Sequence, residues 1–155
     1  MNNETPAQSL KEEISLTAQL MDVLKREQAQ LIAADINGLV AVTEDKSRVV
    51  AQISALAAQR YRALANAGFD GMESGMQAWM QTLGQPAEIE QSWRELLKLA
   101  QSVKAVNSTN GLLISKHMTH TQQALNVLRG NPGSNFYGPD GQAKSTLRPR
   151  GLVVG

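Results

Sequence analysis

His117 and His120 stand three residues apart and are the only two imidazoles in the chain, so they mark the first place to look for chemistry. Two ring nitrogens at that spacing on a helix can share a metal ion, but a metal centre needs further donors. The chain has no cysteine, and the histidines have no Glu-x-x-His pair of the kind that builds metal sites inside helical bundles. No metal or other cofactor is therefore expected. An exposed imidazole on a helical bundle can also carry a phosphoryl group, and Lys116 lies beside His117. Against that reading, no glycine follows to admit a phosphodonor, and His117 falls on a packing seam. There is no Gly-x-x-x-x-Gly-Lys phosphate loop and no serine in a nucleophile elbow. The acidic residues scatter along helix faces, where solvated charge is their ordinary role. The expectation is a protein that is not an enzyme.

Met72, Met76 and Met80 recur at four-residue spacing with Trp79 alongside. Methionine surfaces adapt to many shapes and serve promiscuous binding, yet a methionine stripe at helical spacing more often closes one end of a bundle. Core packing is the expected role.

The elements that position these side chains follow from composition and periodicity. A chain of 155 residues suits one domain with a core. Formal net charge is +1, from 15 basic and 14 acidic residues, which supplies no one-sign field toward nucleic acid or an anionic membrane. The absence of cysteine suits a reducing compartment. Residues Met1 to Pro6 lack a basic patch followed by an apolar run, and no stretch approaches the roughly 20 apolar residues of a membrane span. A cytoplasmic location without membrane insertion is expected. Only two each of Trp, Tyr and Phe are present, and a chain rich in Ala, Leu and Gln favours helix over sheet.

Thr5, Pro6 and Gln8 have the pattern of a capped helix start. Leu10, Ile14, Met21, Leu24 and Leu31 then lay an apolar stripe on one helix face. The register changes around Ala34 to Gly38, with Asp35 as a new N-cap before a second stripe of Leu39, Val42, Val49, Ile53 and Leu56. Residues 6–66 are thus read as two helices rather than one. Gly68 should end the second in a left-handed cap, and Asp70 with Glu73 offers a capping box for a short helix to Leu83. Gly84 and Pro86 punctuate the next boundary. From Pro86 to Arg129 a long helix is expected, with Ile89, Trp93, Leu96, Ala100, Val103, Asn107, Asn110, Ile114, His117, Thr121, Ala124 and Leu128 on one seam.

The fold class expected is all-α, an antiparallel bundle or coiled coil of long helices with one short helix. Residues 1–129 form the helical bundle domain, and residues 130–155 a flexible tail. The tail holds six of the 12 glycines and three of the five prolines, a composition of disorder in the unbound state. It also carries Lys144, Arg148 and Arg150 against Asp140, with isolated apolar groups at Phe136, Tyr137, Leu147, Leu152, Val153 and Val154.

Leu31, Asp35, Leu39, Val42, Lys46, Val49, Ile53, Leu56 and Arg60 together resemble the helical region of the FlgN family of flagellar type III export chaperones. Asn107-Ser108-Thr109-Asn110-Gly111-Leu112-Leu113 is similar to that family's Asn-rich stretch, and Tyr137-Gly138-Pro139-Asp140-Gly141 to its tail motif. The resemblance runs from about Leu10 to Gly141. It implies a chaperone that binds the hook-associated proteins FlgK and FlgL, prevents their premature assembly and delivers them to the export gate. By the same resemblance, cargo is held by the later half of the long helix and the tail, which gives Asn107, Asn110, Leu113, Ile114, Met118, Thr121, Leu125, Leu128 and Tyr137 as partner-binding residues. The alternatives are a histidine phosphotransfer module on a helical bundle and a helical adaptor without an export role.

Overall fold

A computed structural model describes residues 4–84 and 86–130. It contains four helices, α1 (Leu10–Ala33), α2 (Ile36–Asn66), α3 (Glu73–Thr82) and α4 (Ala87–Leu128), and no strand among the described residues. Tertiary contacts separate Met1–Leu113 from Ile114–Gly155, and each unit is taken in turn. The expected tail, apart from Gly130, lies outside the described residues.

In the first unit α1 and α2 form a close antiparallel hairpin. Val49 packs with Leu20 and Leu24, and Arg60 reaches Glu13, so rising positions on one helix meet falling positions on the other. The break expected near residue 35 is present. Ala34 takes a left-handed conformation at φ 55°, and the Asp35 carboxylate accepts the Gly38 amide at 3.0 Å. An L-residue in that region costs about 1–2 kcal/mol, offset here because the Ala34 and Asp35 amides cap Leu31 and Gln30 carbonyls.

The first helix begins later than the sequence pattern indicates. Residues Pro6 to Ser9 form turns, with the Gln8 amide on the Thr5 carbonyl, and Ser9 rather than Thr5 stands at the helix start. Ser9 Oγ is committed to the Glu13 carboxylate at 2.7 Å. The capping box of Asp70 and Glu73 does not form either: Met72 occupies the N-cap position without a side-chain cap, because the Glu73 carboxylate is drawn to Arg60 and Tyr61.

Gly68, at φ 87°, closes α2 as expected. The Phe69 amide reaches back to the Leu64 carbonyl and the Gly68 amide to Ala65, which is the Schellman arrangement. Gly75, buried inside α3, serves closeness instead: a Cβ there would collide with the Asp70 carbonyl. Met76 and Met80 are fully buried with Trp79, Leu10, Leu64, Trp93 and Leu96 in one core cluster. The methionine stripe is therefore core, apart from Met72, which is exposed.

Up to Leu113, α4 runs parallel to α1 and lies beside it through side chains. Trp93 packs in the Leu10 cluster, and Val103 and Val106 pack against Leu20, Leu24 and Val49. The inward positions are Ile89, Trp93, Leu96, Leu99, Val103, Val106, Asn110 and Leu113. The seam thus keeps Leu96, Val103 and Asn110 but pairs them with Leu99, Val106 and Leu113, one residue before the expected Ala100, Asn107 and Ile114. Both choices repeat every seven residues; the realised one buries branched side chains where the other would bury Ala and Asn.

Candidate functional site

Two arrangements of side chains stand out: a polar line inside the first unit, and an apolar line on α4 in the second. At one end of the polar line Arg60, only 3% exposed, gives Glu13 two hydrogen bonds of 3.0 and 3.1 Å and meets Glu73 at 3.4 Å. Its guanidinium also lies 4.9 Å from the Trp93 ring centroid and 5.0 Å from that of Tyr61. Burial works to lower the Arg60 pKa, but the hydrogen bonds and charge of Glu13, helped by Glu73, outweigh it, so the proton is held more tightly than usual. The Tyr61 hydroxyl donates to Glu73 at 2.6 Å, and burial first, then that carboxylate, pushes its pKa up.

At the other end Asn110, 1% exposed, donates its amide to the Leu24 carbonyl at 2.9 Å and to Glu27 Oε1 at 2.8 Å. Lys46 donates to both oxygens of the same Glu27 carboxylate at 3.3 Å. One asparagine therefore ties α4 to the α1–α2 hairpin and fixes its axial position, a common use of a lone polar residue in an apolar seam. The fit is incomplete, since Asn110 Oδ1 is buried with no hydrogen-bond partner among the described residues.

The apolar line begins four residues later. Ile114, Met118, Thr121, Leu125 and Leu128 alternate by four and three, which keeps them on one helix face. All five are exposed, Met118 to 68% and Leu128 to 82%. Thr121 Oγ1 returns to the His117 carbonyl, so its methyl group joins the face without an unpaired hydroxyl. Leu112 and Val127 are exposed as well, on other sides of the helix.

Of the residues the sequence nominates, Asn107, Ile114, Met118, Thr121, Leu125 and Leu128 are exposed, whereas Asn110 and Leu113 turn inward. Tyr137 lies outside the described residues. His117 and His120 are exposed, and no group of three potential metal ligands occurs among the described residues. Sequence reading missed Glu13, Thr17, Glu27 and Arg60 as buried groups. The available signal was position, because Glu13, Thr17 and Glu27 fall on the face that buries Leu10, Leu20, Leu24 and Leu31. No described helix is long and apolar enough to cross a membrane.

Residues 1–145 match the family model described as FlgN protein. The flagella synthesis protein FlgN of Yersinia enterocolitica is 33% identical over 138 residues, covering 88% of this chain and 87% of the relative. That of Proteus mirabilis is 30% identical over 142 residues, 90% of each. That of Salmonella typhimurium is 30% identical over 131 residues, 83% of each. No solved structure matches.

Proposed function

Because this chain belongs to the FlgN family, whose members are flagellar chaperones rather than enzymes, we propose that it binds FlgK and FlgL in the cytoplasm. It holds these hook-associated proteins apart from premature assembly and brings them to the export gate. The observation that carries this reading is the exposed line of Ile114, Met118, Leu125 and Leu128. An amphipathic helix of a client laid along that face would bury both apolar stripes, the helix-in-groove mode of recognition. Each fully buried side chain of this size contributes roughly 1.5–3 kcal/mol before the entropy of association is charged against it.

Thr121 adds its methyl group to the middle of the face, Asn107 offers an exposed amide earlier on the same helix, and Asn110 and Leu113 act from inside by anchoring α4 to the hairpin. Tyr137 is assigned a contact with the client or the export gate, where an aromatic ring and a hydroxyl offer area at low entropy cost. Co-expression with FlgK or FlgL, followed by affinity capture, tests the reading. A soluble complex is expected with the full chain, weaker when Met118 and Leu125 are both changed to Ser, and weaker when residues 130–155 are removed while helicity is kept. Capture of neither protein by the full chain overturns the proposal, and undiminished capture by the Ser variant removes the α4 face from it.

A further inference from the structure

The chain holds six methionines and no cysteine, so thioethers are its only sulfur. The described methionines are unequally sheltered. Met76 and Met80 are fully buried in the core and Met21 is half-buried, whereas Met118 and Met72 are exposed to a similar extent, 68% and 60%. Met118 stands inside the apolar line, four residues after Ile114 and three before Thr121. Every residue from Ile114 to Gly130 is exposed, so no packed neighbour shields its sulfur. Met72, at the N-cap of α3, belongs to the other unit and lies outside that line. The remaining apolar members of the line are Ile114, Leu125 and Leu128, which a peroxide leaves alone, so the one oxidisable side chain stands between inert ones.

We infer that Met118 is an oxidation site that turns the Ile114–Leu128 face off. This rests on the proposed binding role of that face and adds a means of regulating it. The oxidant is a peroxide, hydrogen peroxide in the simplest case. A lone pair of the thioether sulfur attacks one peroxide oxygen, the O–O bond breaks as the S–O bond forms, and the departing hydroxide takes up the remaining proton as water. Sulfur is oxidised to the sulfoxide and the peroxide is reduced. Reversal consumes a dithiol, which becomes a disulfide while the oxygen leaves as water. The product replaces an adaptable apolar side chain with a polar one, and its neighbours along the line supply no new donor. Ile114 and Leu125 are apolar, the Thr121 hydroxyl is given to the His117 carbonyl at 2.9 Å, and the Gln122 amide, one turn on, is turned to Asn126. A client laid over position 118 would therefore bury an unpaired acceptor, and the lost hydration opposes binding. In the free chain the same oxygen faces water, which leaves folding undisturbed. Oxidation of Met72 alters only a solvated helix start.

The test treats the full chain with graded hydrogen peroxide and locates the added oxygen by peptide mass mapping. Met118 and Met72 should be oxidised well ahead of Met76 and Met80, and a bound client should shield Met118 while Met72 reacts as fast as before. Binding is read by fluorescence anisotropy with FlgK, with FlgL and with a labelled helical peptide carrying a leucine stripe. Oxidation should weaken it about tenfold, a methionine sulfoxide reductase supplied with dithiothreitol should restore it, and circular dichroism should stay unchanged. Peroxide should weaken binding by Met72→Leu as it does for the wild type, whereas Met118→Leu, compared before and after treatment, should keep whatever affinity it starts with. Oxidation of Met118 no faster than that of Met76, weakening that persists in Met118→Leu, or helicity lost in step with binding overturns the inference. The two readings fail separately. Capture of FlgK and FlgL that ignores the sulfoxide at Met118 sinks the switch alone; failure of the untreated chain to capture them, with the peptide still released on oxidation, sinks the FlgK and FlgL assignment alone. Binding of none of the three sinks both.

Discussion

Arg60 and Met118 are each in the wrong place by the usual expectation. A guanidinium lies buried at 3% exposure in the hairpin, while a thioether on the later part of α4 faces solvent at 68%. Arginine is rarely buried unless paired, and long apolar side chains are ordinarily the ones hidden. Up to Leu113 the polar groups that are buried are nearly all satisfied, and apolar groups close around them. From Ile114 to Leu128 the same kind of helical repeat leaves its apolar members exposed. The difference teaches that one stretch of the helix is used in folding while another is left uncovered, so substitutions before Leu113 should move stability and, on the proposed binding role, those after it should move binding.

The largest expected break in that contrast is Arg60→Met, which strands the Glu13 carboxylate at 2% exposure. Removing one partner of a buried ion pair costs about 3–5 kcal/mol, read as a lowered urea midpoint. Adding Glu13→Leu should recover a substantial part, because a matched apolar pair is often as stable as the ion pair it replaces. A second loss without recovery would show that the network is valued for more than its charge balance.

Next comes Asn110→Ala. It deletes hydrogen bonds to the buried Glu27 carboxylate and to Leu24, and bonds to a charged group are worth about 1.5–3 kcal/mol. Part of that loss is returned, since the unpartnered Oδ1 disappears too. Hydrogen exchange should localise the change to α4 near Leu113 while the Leu10–Trp93 cluster stays protected. Uniform loss of protection over all helices would mean that Asn110 holds the whole unit and not the register of α4.

These two sites also mark what the sequence made legible. Helix boundaries at Asp35, Gly68 and Gly84 could be read because capping chemistry is local: a carboxylate three residues before an amide, or a residue free to take positive φ, acts on its immediate neighbours. The false capping box at Asp70 failed for the opposite reason. Glu73 has a local use at its own helix start, but Arg60 and Tyr61, brought close only by the fold, compete for it and win. The seam of α4 was half legible, since a seven-residue repeat admits Leu99, Val106 and Leu113 as readily as Ala100, Asn107 and Ile114, and the neighbouring hairpin decides between them. For the candidate face, Ile114, Met118, Leu125 and Leu128 could be named beforehand from their spacing, but their exposure could not, because periodicity gives a face and not what covers it.

A smaller effect concerns the exposed rim of the hairpin. Hydrogen bonds from Arg26, then Arg48, hold the Asp45 carboxyl below its ordinary range. With the folded value depressed, its contribution is fully present above the unfolded carboxyl range and is lost as pH falls through the lower folded value. The stability difference between the wild type and Asp45→Asn should therefore be present at neutral pH and vanish in acid, measured by urea unfolding across that window. A difference constant with pH would assign the effect of the substitution to packing instead of charge.

The smallest expected effect on folding is the most informative. Met118→Gln exchanges two unbranched side chains of nearly equal helix propensity at a position that is 68% exposed, so neither backbone preference nor core packing changes. Surface substitutions of this sort stay within about 0.5 kcal/mol, and the unfolding midpoint should not move. What does change is apolar area in the middle of the Ile114–Leu128 line, and a client that buries it should bind about tenfold more weakly, the equivalent of about 1.4 kcal/mol. Calorimetric titration with the proposed clients, FlgK and FlgL, reads that loss directly. Binding lost with stability intact would leave the division of labour along α4 standing, whereas stability lost together with binding would mean that Met118 belongs to the folded core after all.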